Sequence, residues 1–331
     1  MQEFNKIDRL TFKKKSIIDK SNIDQRLFNQ VNFLNKEKLK TFYLNKNLGF
    51  PLLLNYNDDC FINKKNIFKI NKLEFSKMIF GDSDFKYSQS KFYLRNGISF
   101  CENGELKRQY VEYYNYISKH NRSLIQFIQK LKKNNLKVGA FQTRNIPHYG
   151  HELIIKKLLT LVDIVIINPV IGPKKKGDFK SFALHKIFNY LSKAKYNNKI
   201  IYFPVIANMQ YSGPREAIHH AILRENLGFD YFTIGRDHAG ADGFYKNFEA
   251  INFIKKFIKT LKINIFAHKG TYFCKKCNMA TFYENCKHKK FLTNISGSNF
   301  RNCIIKKEIY DYADKNMQYF IKKNIKNKIF Y

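Results

Sequence analysis

Gln142-Thr143-Arg144-Asn145-Ile146-Pro147-His148-Tyr149-Gly150-His151-Glu152 joins a short apolar run at 137–141 (KVGAF) to a segment at 151–162 whose apolar residues recur at helical spacing. A buried strand that passes through a short loop into a helix is the first unit of a βαβ crossover, and it decides how the rest of the chain is read. His148 and His151 stand three apart, which puts both on one face of the first helical turn. Unpaired helix amides and the helix dipole favour an anion there. Two imidazole donors at that place would hold phosphate oxygens and stabilise negative charge as it grows in a transition state.

Outward from this junction, strand patterns at 137–141, 163–170, 199–207, 230–235 and 263–268 alternate with helical patterns at 151–162, 179–194, 214–227 and 247–261. A further helix is predicted at 124–133. Strands joined by helical crossovers predict an α/β fold with a doubly wound parallel sheet and a ligand beyond the C-terminal ends of the strands. Three domains are expected. Residues 1–115 alternate short aromatic and aliphatic runs with Asn, Asp and Gly turns, a β-rich unit without a motif. The α/β unit occupies 116–270, and 271–331 is a smaller appendage holding four of the six cysteines.

Composition narrows the partners. The chain lacks a run of eighteen apolar residues, and its first thirty residues are charged throughout without an apolar signal core, so no membrane span and a cytoplasmic protein are expected. The formal charge of +34 suggests a polyanion partner at first sight. Only ten of the 60 basic residues are Arg, however, and Lys, Asn, Ile, Phe and Tyr crowd the chain while Trp is absent. Those are residues with A/T-rich codons, and the lysines spread from end to end instead of forming the arginine-rich face that reads nucleic acid. No nucleic-acid partner is expected. The arginines are the informative cations: Arg144, Arg215, Arg224, Arg236 and Arg301, half of the total, fall inside the segments that carry motifs.

Three further loops follow predicted strands. The segment at 168–178 has the G-x-x-x-x-G spacing of a phosphate loop but carries Asp178 where a Walker lysine belongs, and Lys174, Lys175 and Lys176 read either as a solvated turn or as a basic lip over a polyphosphate. Tyr211-Ser212-Gly213-Pro214-Arg215-Glu216-Ala217 opens a helix with proline at its first position. Gly235-Arg236-Asp237-His238-Ala239-Gly240 crowds ionisable groups and glycines into one strand end, a costly choice for a mere connector.

Together these motifs resemble the ATP sulfurylase (sulfate adenylyltransferase) family. Its Q-T-R-N-P-x-H-x-x-H-E is matched by Gln142 to Glu152, its Y-[AS]-G-P-R-E-A by Tyr211 to Ala217, and its G-R-D-H-A-G by Gly235 to Gly240. One departure is visible: Ile146 stands where the family has proline, and Pro147 comes one place later. The resemblance implies a Rossmann-like H-x-x-H nucleotidyltransferase domain, a PUA-like N-terminal domain, and transfer of AMP from ATP to sulfate, giving adenosine 5′-phosphosulfate and diphosphate. It implies that Gln142 and Arg144 grip sulfate, that Asn145 orients the phosphates, and that His148 and His151 bind the α- and β-phosphates with Thr143 contributing from the same loop. Gly235, Arg236, Asp237 and His238 would hold adenosine and phosphate, and the Ala239 amide would assist sulfate. Mg²⁺ is expected with ATP, and a homo-oligomer is expected from the family. No Walker A motif accompanies these segments, so phosphorylation of the product is not expected.

Cys274, Cys277, Cys286 and His288 form C-x₂-C-x₈-C-x-H, a full tetrahedral set for structural Zn²⁺, and some members of the family carry a similar knuckle before an S-G-T-x-x-R segment like Ser296 to Arg301. Two other readings share these motifs: an H-x-G-H nucleotidyltransferase with a different acceptor, and a nucleic-acid-binding homologue without turnover.

Overall fold

The structure is a computed structural model and describes residues 52–54, 67–69, 73, 76–77, 80–88, 99–101, 108–171, 178–206, 211–240, 243–325 and 329–330. The three lysines of the basic lip lie outside the described residues. In the N-terminal part, strands β1 (Leu52–Leu54), β2 (Ile67–Lys69) and β3 (Ser99–Cys101) form a small antiparallel sheet with β3 in the middle. Helix α1 (Arg108–Lys133) follows and runs through the expected boundary at 115/116.

The remainder is built on a five-stranded sheet, parallel at every pairing. Strand β4 (Val138–Phe141) lies at its centre, with β5 (Ile164–Ile167) and β7 (Ile200–Tyr202) on one side and β9 (Tyr231–Ile234) and β10 (Asn264–Ala267) on the other. Helices α2 (Tyr149–Leu158), α3 (Ser181–Lys195), α4 (Pro214–Leu227) and α5 (Glu249–Lys255) make the crossovers. The expected doubly wound α/β fold is borne out. Chain order reverses between β4 and β9, so the crevice beyond their C-terminal ends is the place where this topology binds ligands.

Side chains alternate between two apolar layers as strand period requires. Val138, Ala140, Ile166, Phe232 and Ile234 pack with α4 and α5, whereas Phe141, Val165 and Ile167 pack with α2 and α3. Two expected strands are each broken. Pro169 and Pro204, which lack the N–H a ladder needs, separate β5 from β6 (Val170–Ile171) and β7 from β8 (Val205–Ile206). Pairing resumes at once: Phe203 N–H donates to Ile167 O and Val205 N–H to Pro169 O, both at 3.0 Å.

The β5–β6 break is held by a buried cation. Arg224 is fully buried on α4, and it donates through Nε to Asn168 Oδ1 (3.0 Å) and through Nη2 to Asn168 O (2.9 Å). Its guanidinium lies 5.0 Å from the Phe232 ring centroid. Burial pulls its pKa down to about 9 and nearby Glu216 works the other way, so it remains charged at neutral pH.

Residues 271–325 share the core of the sheet. Strand β11 (Thr271–Cys274) pairs antiparallel with β12 (Met279–Phe282) and β13 (Leu292–Asn294), and helices α6 (Gly297–Lys306) and α7 (Lys315–Asn324) follow. Phe300, Tyr310, Met317 and Ile321 complete the apolar layer above α2 and α3. Lys195 at the end of α3 bridges Glu152 (2.9 Å) and Asp314 (2.6 Å), which ties α2 to the N-cap of α7. Part of the N-terminal region also enters the core: Phe80 and Tyr87 pack in the α4–α5 layer, and Tyr87 stacks on Phe244 at 4.4 Å. No helix among the described residues is long and apolar enough to cross a membrane.

Replacing Arg224 by Met leaves the carbonyl and side-chain oxygens of Asn168 without their donor. Urea unfolding is expected to show a loss of roughly 3 kcal/mol or more, the scale for breaking a buried charged network. A loss under about 1 kcal/mol would mean that Asn168 finds other donors.

Candidate active site

The N-terminus of α2 is organised by its own histidines. His148 is the N-cap, and its Nδ1 accepts from His151 N–H at 3.3 Å while His148 N–H donates to His151 Nδ1 at 3.5 Å. This is a capping box with imidazoles in the two capping roles. Both Nδ1 atoms act as acceptors, so each neutral ring carries its proton on Nε2. The rings stack with centroids 3.8 Å apart. Burial holds His148 down at about 4, and burial together with the charges His148 and His268 would carry holds His151 well below its ordinary value.

The preceding loop is equally fixed. Thr143 Oγ1 accepts from Asn145 N–H at 3.1 Å, so this buried hydroxyl shapes the turn. Asn145 Oδ1 accepts from Arg301 Nη2 at 2.8 Å, which leaves the Asn145 amide with its NH₂ to offer. Arg301 also lies 3.7 Å from Asp178. Ile146, the residue that departs from the family pattern, is wholly buried in the α2–α3 layer, and the histidine spacing is undisturbed. Gly150 is required by close approach: a Cβ there would collide with Thr271 of β11.

Two more loops close over the strand ends. Tyr211, Gly213 and Ala239 all have positive φ (59°, 50° and 55°), a conformation unfavourable for the two that are not glycine. They are held by Gly213 N–H donating to Ala239 O (3.2 Å) and by Tyr87 OH donating to Tyr211 O (2.6 Å). Arg236 donates to Asp237 Oδ2 (2.8 Å) and to the Tyr272 hydroxyl (2.7 Å).

These loops enclose two adjoining clefts of about 300 and 390 Å³ that share Arg144, Asp237, His238 and Gly240. The predicted residues Gln142, Thr143, Asn145 and His151 line the first, as do Gly235 and Ala239. His148 does not line it and stands behind His151, while Arg236 lines only the second cleft. His268, at the end of β10, also lines the first cleft, and its Nδ1 accepts from Gly270 N–H at 3.3 Å. A single histidine at a strand end carried no spacing signal. Asp178 reaches the same cleft, and Arg301 arrives from α6, a contact visible only in three dimensions. Donors dominate around Arg144, Asn145 and His151, an arrangement that suits a multiply charged anion.

Cys274, Cys277, Cys286 and His288 also come together, with all four ligand atoms within 4.8 Å of one another. Zinc–sulfur bonds of about 2.3 Å put tetrahedral ligand atoms roughly 3.8 Å apart, so the cluster fits one metal ion. Hydrogen bonding to Cys274 pushes the Cys277 thiol up to about 11, since packed thiols resist ionising together without a cation.

A sequence model of the ATP-sulfurylase family matches residues 120–310. The chain is 36% identical over 253 residues to sulfate adenylyltransferase of Pyrococcus abyssi, covering 74% of this chain and 64% of that one. It is 42% identical over 170 residues to sulfate adenylyltransferase of Thermococcus onnurineus, covering 51% and 45%. The chain therefore spans about half to two thirds of the length of these relatives. Among solved structures, the hexameric APS kinase from Thiobacillus denitrificans is alike in fold, with a TM-score of 0.55 over 91% of this chain and 62% of that one at 10% identity.

Buried neutral histidines make the fold acid-sensitive. His148 and His268 are held at about 4 and His238 at about 3, so between pH 6.5 and those values the unfolded chain binds the protons the folded chain refuses. Stability is full above about pH 6.5 and falls with pH, by on the order of 1–2 kcal/mol per histidine at pH 5. Calorimetry from pH 8 to 4 is expected to show Tm dropping in that window. A flat Tm across it would mean that the rings are not buried as described.

Proposed function

The chain belongs to the ATP-sulfurylase family, and from that premise we propose that it is a sulfate adenylyltransferase that reversibly converts ATP and sulfate to adenosine 5′-phosphosulfate and diphosphate. The observation that carries this reading is the reciprocal capping of His148 and His151. It fixes His151 at a helix N-terminus, beside Arg144 and Asn145 and beyond the strand at the topological switch point, with the His148 ring stacked on it.

In this mechanism a sulfate oxygen attacks the α-phosphorus and the bond to diphosphate breaks on the opposite side. No covalent nucleophile is needed, so the chain contributes position and charge stabilisation. The Arg144 guanidinium fork and the Gln142 amide grip sulfate, with help from the Ala239 amide. Asn145, locked by Arg301, orients the phosphates, while Thr143 keeps the loop in shape. His151, supported by His148, donates to the phosphates as charge moves onto the leaving diphosphate. Gly235, Asp237 and His238 hold the nucleoside side, with Arg236 at the rim of the second cleft.

Among the described residues, Asp178 and Asp237 are the carboxylates that line the first cleft, which suits a Mg²⁺ carried on phosphate oxygens and water better than an all-protein cage. Zn²⁺ would be held by Cys274, Cys277, Cys286 and His288 and would brace β11 against α2. We read 1–115 as a PUA-like unit, 116–270 as the catalytic unit and 271–331 as the metal-bearing unit of a cytoplasmic homo-oligomer.

Adenosine 5′-phosphosulfate, diphosphate and Mg²⁺ incubated with the protein are expected to yield ATP, and His151→Ala is expected to lower the rate at least 100-fold, the scale of losing a transition-state donor. Folded protein that binds ATP yet forms none from these substrates would turn the reading toward another acceptor. Chelation of Zn²⁺ is expected to expose 271–301 to protease while the parallel sheet survives; an unchanged digest would remove the metal from this site.

A further inference from the structure

Helix α4 buries a polar stripe where an apolar face is the usual solution. Glu216, His220 and Arg224 recur every four residues, and none is more than 1% exposed. Groups this costly to bury must be satisfied or functional. Arg224 is accounted for by Asn168 and Phe232. The other two lead elsewhere: Glu216 Oε2 accepts from Ser212 N–H (2.9 Å), Glu216 Oε1 lies 3.4 Å from His220 Nε2, and His220 Nδ1 lies 2.9 Å from His238 Nε2. His238 lines both clefts.

Donor and acceptor accounting fixes the protons along this chain. A carboxylate only accepts, so His220 Nε2 carries the hydrogen that faces Glu216. A second proton on His220 is opposed by burial and by the adjacent Arg224 charge. His220 Nδ1 is therefore a lone pair, and the 2.9 Å contact requires His238 to donate from Nε2. His238 Nδ1 is then left as an acceptor. Phe232 stands edge-on to the His238 ring with centroids 5.6 Å apart.

An acceptor is out of place in a cleft furnished with anion donors. Fully ionised sulfate and diphosphate have no hydrogen to give, whereas a nucleoside has ribose hydroxyls and an exocyclic amine. We infer that Glu216 and His220 are positioning residues that hold His238 as the Nε2–H tautomer, so that its Nδ1 accepts a hydrogen bond from the nucleoside part of the nucleotide. This rests on the nucleotide-binding reading of the clefts and adds to it a residue pair that touches no substrate.

Nitrogen-15 NMR of labelled histidine in the whole protein, with His238 assigned by its absence from His238→Gln, reads the tautomer directly. Protonated Nε2 and bare Nδ1 are expected, with Nδ1 shifting when ATP is added; a proton on Nδ1, or no shift with bound ATP, overturns the inference. His220→Leu is expected to weaken ATP binding about tenfold, the scale of one hydrogen bond, without changing diphosphate binding. His220→Asn, whose amide oxygen can replace the Nδ1 lone pair, is expected to bind ATP nearly as the wild type does. Equal losses for ATP and diphosphate in both variants would reduce His220 to a structural role and overturn the inference. The 2′-deoxy, 3′-deoxy and inosine analogues of ATP identify the donor: one of them is expected to bind wild type more weakly than ATP does and to lose that difference in His220→Leu. If none does, the hydrogen bond does not exist. Should wild type show the expected tautomer and bind ATP yet make none from adenosine 5′-phosphosulfate, the proposed reaction fails and the relay stands.

Discussion

The first amides of a helix have no partners within it, and at the start of α2 this shortage is met by two imidazole rings. Serine or aspartate would cap as well. Histidine adds a second nitrogen, so the group that closes the backbone also presents an N–H. The stacked pair, the loop from 142 to 147 and the seat for β11 all follow from where that helix begins. Gly150 lets β11 approach, Lys195 holds Glu152 in the same helix, and Tyr149 N–H donates to Tyr312 O. The C-terminal segment is thus part of the site's foundation.

The rest of the cleft obeys the same economy, in which each loop is held by a side chain from elsewhere in the chain. Asn145 is oriented by Arg301, Tyr211 by Tyr87, and the 168–169 turn by Arg224. Preorganisation of this kind suits a reaction that lacks a covalent intermediate, because donors already in place need not reorganise as charge moves. Its cost is carried by burial: several histidines are held neutral, and two residues that are not glycine take left-handed backbone.

Much of this was legible in the chain. Helix α4 has the predicted bounds because proline opens it and a left-handed Gly228 closes it, both local signals. The sheet followed from apolar runs of strand length separated by helical patterns. The strand breaks did not, since apolar residues continue past Pro169 and Pro204 and only the missing N–H groups divide them. Helices at 249–255 and 149–158 are shorter than their patterns, because apolar periodicity runs past the last turn that backbone hydrogen bonding sustains. Of the candidate site, the motif residues were readable by type and spacing. His268, Tyr87 and the grip of Arg301 were not, since each acts on a neighbour far away in sequence and no local rule reports such contacts.

The Arg301–Asn145 hydrogen bond joins residues 156 positions apart. During synthesis, at about 5–20 residues per second, the loop at 142–147 would wait on the order of ten seconds for its last support to leave the ribosome. A nascent chain ending before α6 would carry the loop at 142–147 without the side chain that orients Asn145. The loop would therefore take its final form late, after the parallel sheet has closed around its core.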